Sequence, residues 1–312
     1  MEHLRAVSTV TFEAGATRLP SSGVEGRRGR HACRNSRLGG SASEQISAPL
    51  ASGNISAGWY HTCGIRTNGT VACWGDDVDG QASPPAGAFA SVSAGYAHTC
   101  GIKTNGSVAC WGAKDDGKTS PPSGRFISVG AGLLHTCGTK TDGAVACWGD
   151  NGHGQSSPPS GRFISVSAGL FHTCGIRTDG AVACWGDDAQ GQASAPLGAF
   201  TSVSAGLLHT CGIKTDGAVV CWGSNEGGQA SPPLGAFTSV SAGSGHTCAI
   251  KTDGAVVCWG TNDYGQASPP VDAFAAVSAG SGIGHTCGIK TNGVVACWGD
   301  TDGEPPAGVF KH

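Results

Sequence analysis

The chain has 312 residues, of which 53 are Gly, 15 are Pro and 15 are Cys, while Asp, Glu, Lys and Arg together make up only 13%. So few charges and so many glycines exclude a coiled coil or another long-helix protein. The net charge is −3, and residues 1–44 carry seven Arg against four acids, whereas the remainder carries twelve bases against eighteen acids. Because a mildly acidic body is unsuited to a phosphate backbone, we expect no nucleic acid partner.

The N-terminal segment, residues 1–44, is rich in Arg and precedes the repeated part of the chain. It opens with MEHLRAVSTVTFEAGATRLP, in which Glu13 interrupts the apolar residues, so no signal peptide is visible. No stretch of the chain approaches the ~20 apolar residues of a membrane span, and we expect no membrane insertion. We predict a disordered leader over 1–44 and a folded repeat domain over 45–312.

The rest of the chain repeats one unit seven times. The triplet His-Thr-Cys recurs at intervals of 37 residues, except for a last interval of 39. Seven units of one length predict one supersecondary structure repeated seven times. The triplet begins at His61, His98, His135, His172, His209, His246 and His285.

One unit, from Phe163 to Ala199, reads FISVSAGLFHTCGIRTDGAVACWGDDAQGQASAPLGA and carries three strand patterns and no helix pattern. We predict strands over 163–168, 172–177 and 181–186. The stretch that follows is rich in Gly, Ser and Pro, which cannot sustain a hydrogen-bonded ladder, so it connects to the next unit. In the first strand, the alternation sets Phe163, Ser165 and Ser167 on one face and Ile164, Val166 and Ala168 on the other.

The turn between the second and third strands fixes their register. Every unit has Thr-Asn-Gly or Thr-Asp-Gly there, and Gly readily adopts the left-handed conformation that ends a three-residue hairpin loop. In the first unit this register sets Cys63 opposite Cys73, with Cα atoms ~4.5 Å apart, within reach of a disulfide. We therefore predict disulfides between Cys63 and Cys73, Cys100 and Cys110, Cys137 and Cys147, Cys174 and Cys184, Cys211 and Cys221, Cys248 and Cys258, and Cys287 and Cys297.

Buried thiols and metal ligands are the alternatives for these cysteines. His61, Cys63 and Cys73 share a face, but a closed zinc site needs four ligands and usually Cys-x2-Cys spacing, so we expect no metal and no cofactor. Disulfides persist in oxidising compartments, and we therefore expect an extracellular, periplasmic or cell-surface location. Cys33, the unpaired fifteenth cysteine, lies in the leader and is expected to be a solvated or disordered thiol.

The opposite face of each hairpin combines small residues with an indole, as in Gly64, Ala72 and Trp74, which suits interlocking with a neighbouring sheet. Small antiparallel sheets that bury both faces stack radially, so the predicted fold class is all-β: a seven-bladed β-propeller of about 37-residue, mainly three-stranded antiparallel blades. A linear solenoid is the alternative. The first unit has Ser52 where other units have Phe, and we predict that Phe310 fills that position and closes the ring.

The stretch from Ala168 to Gln192, AGLFHTCGIRTDGAVACWGDDAQGQ, resembles the repeat of the RCC1 family, the regulator of chromosome condensation type, and the match extends over about 45–310. The compact units also resemble the blades of β-lactamase inhibitory protein II, and the paired Cys resemble those of crinkly-type receptor kinase ectodomains. The resemblance implies a β-propeller. Lys118, where Gln is usual, and the short last connector GEPPAGVF depart from the pattern. Nothing matches an exchange-factor wedge, so nucleotide exchange is not implied.

Residues that recur in every unit are expected to be structural. We expect the seven His to satisfy backbone groups, and the Trp of each Cys-Trp-Gly to fill space between blades, because base stacking would need basic companions. The acidic loops 76–80 and 300–303 lack a full calcium-binding loop and are expected to be solvated turns. No nucleophile elbow or phosphate-binding loop is present in the sequence, so we predict no catalytic residue and no enzyme.

The units differ most between Ala-Gly and His-Thr-Cys, where five of them carry large apolar or aromatic side chains. In a propeller these loops emerge at one end, and packing inward against the next blade is the alternative to exposure. An exposed apolar patch marks a partner surface, with Trp and Tyr as preferred anchors. The predicted partner-binding residues are Trp59, Tyr60, Tyr96, Leu133, Leu134, Leu170, Phe171, Leu207 and Leu208.

The sequence therefore predicts a non-catalytic, monomeric module that binds another protein through loops on one rim of a propeller. A binder of carbohydrate or of a cell-surface ligand is the first alternative. An enzyme is the second, and it would require a cluster of carboxylates at the mouth of the central channel.

Overall fold

A computed structural model of the chain describes residues 54–282, 284–301 and 303–312. They form seven antiparallel three-stranded sheets, one for each repeated unit, with the strands of each sheet in chain order. We call each sheet a blade and number the blades from 1 to 7. The predicted leader over 1–44, with Cys33, and the predicted role of Ser52 lie outside the described residues.

The strands are numbered β1 to β21, three to a blade. Blades 1 to 4 contain β1 (Ile55–Ala57), β2 (His61–Ile65), β3 (Val71–Gly75), β4 (Phe89–Ala94), β5 (His98–Lys103), β6 (Val108–Gly112), β7 (Phe126–Ala131), β8 (His135–Lys140), β9 (Val145–Gly149), β10 (Phe163–Ala168), β11 (His172–Arg177) and β12 (Val182–Gly186). Blades 5 to 7 contain β13 (Phe200–Ala205), β14 (His209–Lys214), β15 (Val219–Gly223), β16 (Phe237–Ala242), β17 (His246–Lys251), β18 (Val256–Gly260), β19 (Phe274–Ala279), β20 (His285–Lys290) and β21 (Val295–Gly299).

A short 3-10 helix, Asp115–Gly117, lies between blades 2 and 3. In the part of the chain that the structure describes, no helix combines the length and the apolar character that crossing a bilayer requires.

The hairpin between the second and third strands of each blade has the predicted three-residue loop. In blade 1, the backbone N–H of Arg66 donates to the carbonyl of Thr70, and that of Gly69 donates to the carbonyl of Arg66, both at 2.8 Å. Gly69 has a φ of +85°, in the left-handed region that Gly adopts without steric cost. The register pairs Cys63 with Cys73, as predicted.

Each blade contains one disulfide between its second and third strands, and the seven predicted pairs are confirmed. The Cα atoms of Cys63 and Cys73 lie 4.1 Å apart, as expected for a non-hydrogen-bonded pair. The bonded pairs are Cys63–Cys73, Cys100–Cys110, Cys137–Cys147, Cys174–Cys184, Cys211–Cys221, Cys248–Cys258 and Cys287–Cys297.

The first strand departs from the predicted alternation. In blade 4, Phe163 pairs with Arg177, whereas Ser165 pairs with Ile176, so Ile164 is an extra residue in a bulge. The bulge turns Phe163 towards the face of Val166, and both side chains are buried in one apolar cluster. The prediction that Phe163 shares a face with Ser165 is therefore wrong. The physical reason is that a bulge shifts the two-residue period of a strand by one position.

The apolar core lies between adjacent blades. Cys63 and Ile65 of blade 1 pack against Phe89 and Trp111 of blade 2. Gly101 makes room for this packing, because a Cβ at its position would lie 2.7 Å from the ring of Phe89. Burying a side chain such as Phe89 stabilises the fold by about 1.5–3 kcal/mol. The recurring Trp thus fills space between blades, as predicted.

The C-terminal residues close the propeller. Phe310 forms an antiparallel bridge with Arg66 of blade 1, is fully buried, and places its ring 6.1 Å from that of Trp74. Its backbone N–H donates to the carbonyl of Gly293 in blade 7. Phe310 therefore supplies to blade 1 the aromatic residue that Phe163 supplies to blade 4. The prediction of closure through Phe310 is confirmed, and the solenoid alternative is wrong.

Seven buried histidines link each blade to the next. The Nε2 atom of His172 lies 2.9 Å from the hydroxyl oxygen of Thr210, in blade 5. That hydroxyl donates its proton to the carbonyl of Gln192, so it accepts a hydrogen bond from Nε2 of His172. The imidazole of His172 is therefore the neutral tautomer that carries its proton on Nε2. Burial lowers the pKa of His172 to about 4. The partner of the imidazole is thus a side-chain hydroxyl, and the expectation that it satisfies a backbone group was wrong.

In blades 3 to 7, the carbonyl of one residue in the connector before the first strand accepts hydrogen bonds from two donors. The carbonyl of Gln155 accepts from the hydroxyl of Thr173 and from the indole N–H of Trp185. Lys118 keeps this role in its own unit, because its carbonyl accepts from Trp148 at 2.8 Å. The Lys118 side chain is buried, and its ammonium lies 3.4 Å from the carboxylate of Asp115. This explains how the unit tolerates Lys where five other units have Gln.

Candidate partner-binding face

The two ends of the sheets define two faces of the propeller. At one end the second strand begins and the third strand ends, as where His61 pairs with Gly75. We call this end the loop face. Each blade carries an inner loop there between its first two strands, and an outer loop after its third strand. The Thr-Asn-Gly and Thr-Asp-Gly turns lie at the opposite end, which we call the hairpin face. The outer loops comprise 76–80, 113–117, 150–154, 187–191, 224–228, 261–265 and 300–301.

All nine predicted partner-binding residues lie in inner loops on the loop face. Tyr96 is 36% exposed, and the other eight side chains are half-buried. Neither of the two sequence-based alternatives, exposure or inward packing, therefore describes them fully. Each side chain is held on one side by its neighbours and is accessible to solvent on the other.

Backbone hydrogen bonds fasten the inner loops to each other. The N–H of Trp59 donates to the carbonyl of Gly95, and that of Tyr96 donates to the carbonyl of Gly132. Glycine is required here, since a Cβ on Gly95 would lie 2.4 Å from the carbonyl oxygen of Gly132. The N–H of Ser281 in blade 7 donates to the carbonyl of Gly58 in blade 1, so the contact also spans the closure. Five of the seven neighbouring pairs of inner loops are joined in this way, and the two pairs that involve blade 4 are not.

The first residues of the inner loops surround the mouth of the central channel. All of them except Ser244 line a cleft with a volume of about 20 Å³. In blades 6 and 7 these first residues are Ser244 and Ser281, so the mouth is apolar around five blades and polar around two. We call the five apolar residues the apolar crescent: Trp59, Tyr96, Leu133, Leu170 and Leu207.

The second residues of the inner loops extend the apolar surface outwards. Phe171 stacks on the imidazole of His153, from the neighbouring outer loop, with ring centroids 4.4 Å apart. Tyr60 joins Trp59 and Tyr96 in a cluster of edge-to-face rings, with centroids 5.1–6.2 Å apart. Such pairs fix the orientation of the rings before any partner arrives.

The acidic outer loops are internally braced. In blade 1, the carboxylate of Asp76 accepts hydrogen bonds from the Gln81 side chain and from the Val78 N–H. Asp77 accepts from the Ala82 N–H and from the Ser83 hydroxyl. These carboxylates hold a turn, as predicted for 76–80, while Asp302 of the other loop lies outside the described residues. Among the residues with described positions, no group of three or more His, Cys, Asp or Glu side chains is arranged to hold a metal ion.

Two exposed residues on the loop face were missed by the sequence analysis. Val78 is 88% exposed and Tyr264 is 57% exposed, both in outer loops. Tyr264 lies over Gly284 of the next inner loop, where a Cβ would approach its ring to 3.1 Å. The sequence could have revealed them, because the other units carry polar or small residues at the equivalent positions of the repeat.

The central channel lies behind the apolar crescent. It is a cavity of about 290 Å³ lined by the first strands, whose residues there are Ser, Ala, Val, Ile and Gly. The hydroxyl of Ser93 accepts the N–H of Ala131 in the next blade, and five of the other six interfaces repeat this contact. Gly130 interrupts the series between blades 3 and 4. The lining is neutral in the described residues, and it offers hydroxyl groups for hydrogen bonding.

Six segments of the chain match the family model described as regulator of chromosome condensation (RCC1) repeat: residues 54–81, 89–117, 126–155, 163–192, 200–229 and 237–266. No curated protein matches the chain significantly in sequence.

Solved structures of receptor ectodomains are similar to this chain. The ectodomain of the Physcomitrella patens receptor kinase CR4 superposes with a TM-score of 0.69 and 27% identity, covering 79% of this chain and 73% of that one. The CRINKLY WD40 ectodomain of the Arabidopsis thaliana receptor kinase ACR4 gives 0.66 and 26%, covering 79% and 96%. Prp20p from Saccharomyces cerevisiae gives 0.62 and 15%, covering 73% and 80%, which is a likeness of fold.

Proposed function

The chain belongs to the regulator of chromosome condensation (RCC1) repeat family, and we propose that it is a non-catalytic module that binds another protein through the inner loops of its loop face. The observation that carries the proposal is the apolar crescent. Five successive blades present a large apolar side chain around one mouth, and these side chains keep part of their surface open to solvent. Contiguous apolar surface of this kind marks protein interaction sites.

The anchors of the proposed interface are Trp59, Tyr60, Tyr96 and Phe171. Aromatic side chains bury large area on association and are enriched among the residues that dominate binding energy. Their rings are already oriented by edge-to-face contacts and by the stack on His153. Because backbone hydrogen bonds brace the inner loops that carry Trp59, Tyr60 and Tyr96, these loops lose little ordering entropy on binding.

The setting of the proposed interaction follows from the disulfides and the relatives. Seven disulfides persist only where thiols are oxidised. The similar structures from Physcomitrella patens and Arabidopsis thaliana are receptor ectodomains. Both observations support an extracellular, periplasmic or cell-surface location. We propose that residues 45–312 act there as a monomeric binding domain without a cofactor.

A pull-down with matched variants tests the proposal. The oxidised full chain is immobilised and exposed to secreted and surface fractions of its source. The loop-face variant carries Trp59→Ala, Tyr96→Ala and Phe171→Ala. The control variant carries Leu197→Ala and Leu234→Ala, because these two aliphatic side chains are 96% and 99% exposed near the hairpin face. We expect the control to retain the captured proteins and the loop-face variant to lose them.

Two results would contradict this assignment. Capture that survives in the loop-face variant would remove the inner loops from the interaction, provided that the variant unfolds at the same denaturant concentration as the wild type. Capture that disappears when glycans are removed from the fractions would favour the carbohydrate alternative over a protein partner.

A further inference from the structure

Charge is divided between the two faces of the propeller. The seven outer loops of the loop face hold eleven carboxylates in the described residues and a single Lys, at position 114. On the hairpin face, the residue before every turn is Lys or Arg, from Arg66 to Lys290, and Arg125 and Arg162 add two exposed cations. The apolar crescent is therefore surrounded by negative charge, while the opposite face carries an excess of positive charge over its acidic residues.

Several of these carboxylates have no role in holding their loops. The side chains of Asp79, Glu226, Asp263 and Asp300 are exposed. Unlike Asp76, which accepts hydrogen bonds from its own loop, they accept no hydrogen bond from any residue with a described position. They come from blades 1, 5, 6 and 7, so they include the sector where Ser244 and Ser281 replace the apolar residues of the mouth. This charge remains available to a partner.

We propose that the partner of the loop face is cationic: it buries apolar side chains against the crescent and sets Lys or Arg side chains over the outer loops. The inference rests on the proposed function and adds the chemistry of the partner. Attraction between the acidic outer loops and a cationic partner accelerates their encounter, and repulsion from the same loops disfavours an acidic competitor. The positive hairpin face repels the same partner, so the approach is also oriented.

A random peptide library displayed on phage provides the probe. It is selected on the oxidised full chain at low ionic strength and depleted on the variant with Trp59→Ala, Tyr96→Ala and Phe171→Ala. We expect the enriched peptides to combine Lys or Arg with aromatic or aliphatic residues. We also expect a synthetic peptide of the consensus to lose about tenfold in affinity when salt shortens the screening length from about 10 Å to about 3 Å.

Two variants with the same net charge locate the interaction. The first neutralises the loop face with Asp79→Asn, Glu226→Gln, Asp263→Asn and Asp300→Asn. The second neutralises the turns of the hairpin face with Asp142→Asn, Asp179→Asn, Asp216→Asn and Asp253→Asn. The turn substitutions are mild, because Asn68, Asn105 and Asn292 occupy the same position in three other blades and use the same oxygen as acceptor. We expect the first variant to lose about tenfold in affinity for the consensus peptide and the second to change less than about twofold.

The outcomes separate the inference from the function on which it rests. Peptides that depend on Trp59, Tyr96 or Phe171 but are acidic or uncharged would overturn the cationic partner and leave the proposed binding face intact. Equal effects of the two neutralised variants would do the same. If the selection enriches no peptide whose binding depends on Trp59, Tyr96 or Phe171, both proposals are overturned.

Discussion

The imidazole of His285 lies 3.1 Å from the hydroxyl of Thr62, although 223 residues separate them. This contact joins the last blade to the first, and it repeats the contact between His172 and Thr210 within the ring. All seven blade interfaces therefore contain one buried imidazole and one hydroxyl. Because this imidazole–hydroxyl contact recurs at every interface, the stability of the whole propeller depends on keeping these imidazoles neutral and paired.

Replacing Thr210 with Val should destabilise the protein by about 1–3 kcal/mol, because it leaves a buried donor without a partner. In the wild type, the Thr210 hydroxyl accepts from His172 and donates to the carbonyl of Gln192. Val has the same shape but no hydroxyl. The measurement is denaturant unfolding of the oxidised protein. Thr210→Ser keeps the hydroxyl and should cost less, and equal losses for Val and Ser would show that the hydrogen bonds contribute nothing.

Stability should fall steeply on mild acidification. Burial lowers the pKa of the seven histidines to about 3 or about 4, whereas a histidine in the unfolded chain has a pKa of about 6.5. Between these values the unfolded chain binds more protons than the native one, so the free energy of unfolding decreases as the pH falls. Above about pH 6.5 both states are neutral at these positions, and this contribution is fully present.

The test is the unfolding free energy between pH 8 and pH 4.5. Each buried histidine should lower the free energy of unfolding by up to about 1.4 kcal/mol for every pH unit below the unfolded pKa. Replacing His172 with Gln should reduce the slope by the contribution of one proton. A free energy that stays flat between pH 6.5 and pH 5 would contradict neutral, buried imidazoles.

The local structure of a blade follows from its sequence because the interactions are local. The turn that ends at Gly69 sets the register, and the register sets Cys63 opposite Cys73, only ten residues away. The bulge at Ile164 could not be predicted in this way, because its benefit is the burial of Phe163 between two blades. Strand alternation describes a single sheet and carries no information about its neighbour.

In the candidate site, too, the contacts between blades could not be predicted from the sequence. The repeat predicts that the inner loops share one end of the propeller, and the structure shows Trp59 and Tyr96 there in edge-to-face contact. Their exposure depends on how far the next blade covers them, which a single unit does not specify. The hydroxyl partner of His172 lies 38 residues further along the chain, in the following blade. Binding by these inner loops therefore stays a prediction.

Replacing Phe310 with Ala should destabilise the propeller by about 3–5 kcal/mol, the range for removing a buried Phe. Phe310 is fully buried, and its ring lies 6.1 Å from that of Trp74. Phe200→Ala, at the equivalent position of blade 5, provides the benchmark. If the C-terminus closes the ring, the two variants lose similar free energy in denaturant unfolding. Val309 is 51% exposed, so Val309→Ala should have little effect, and a loss at Phe310 no larger than that would argue against closure.

The seven bridges predict how the chain responds to alkylation. An unfolded but unreduced chain should take up iodoacetamide at no more than one of its fifteen cysteines, because fourteen of them are paired. After reduction, all fifteen should be labelled. Extensive labelling before reduction of protein recovered from an oxidising compartment would contradict the pairing.

Removing one bridge tests what the pairing contributes. Each disulfide joins residues that are ten positions apart, so the chain-entropy model gives about 2–3 kcal/mol per bridge. The double substitution Cys211→Ala and Cys221→Ala should lower the unfolding free energy by that amount under oxidising conditions.

The loss would be smaller if the Thr-Asp-Gly hairpin persists in the unfolded chain, since the bridge then restricts fewer conformations. Circular dichroism of a peptide covering residues 209–223, reduced and oxidised, measures that persistence directly. The reduced peptide could be strongly structured while the double substitution still lowers the unfolding free energy of the full chain by the whole 2–3 kcal/mol, about the value from the chain-entropy model. That result would show that the bridge acts through native packing and not through the entropy of the unfolded chain.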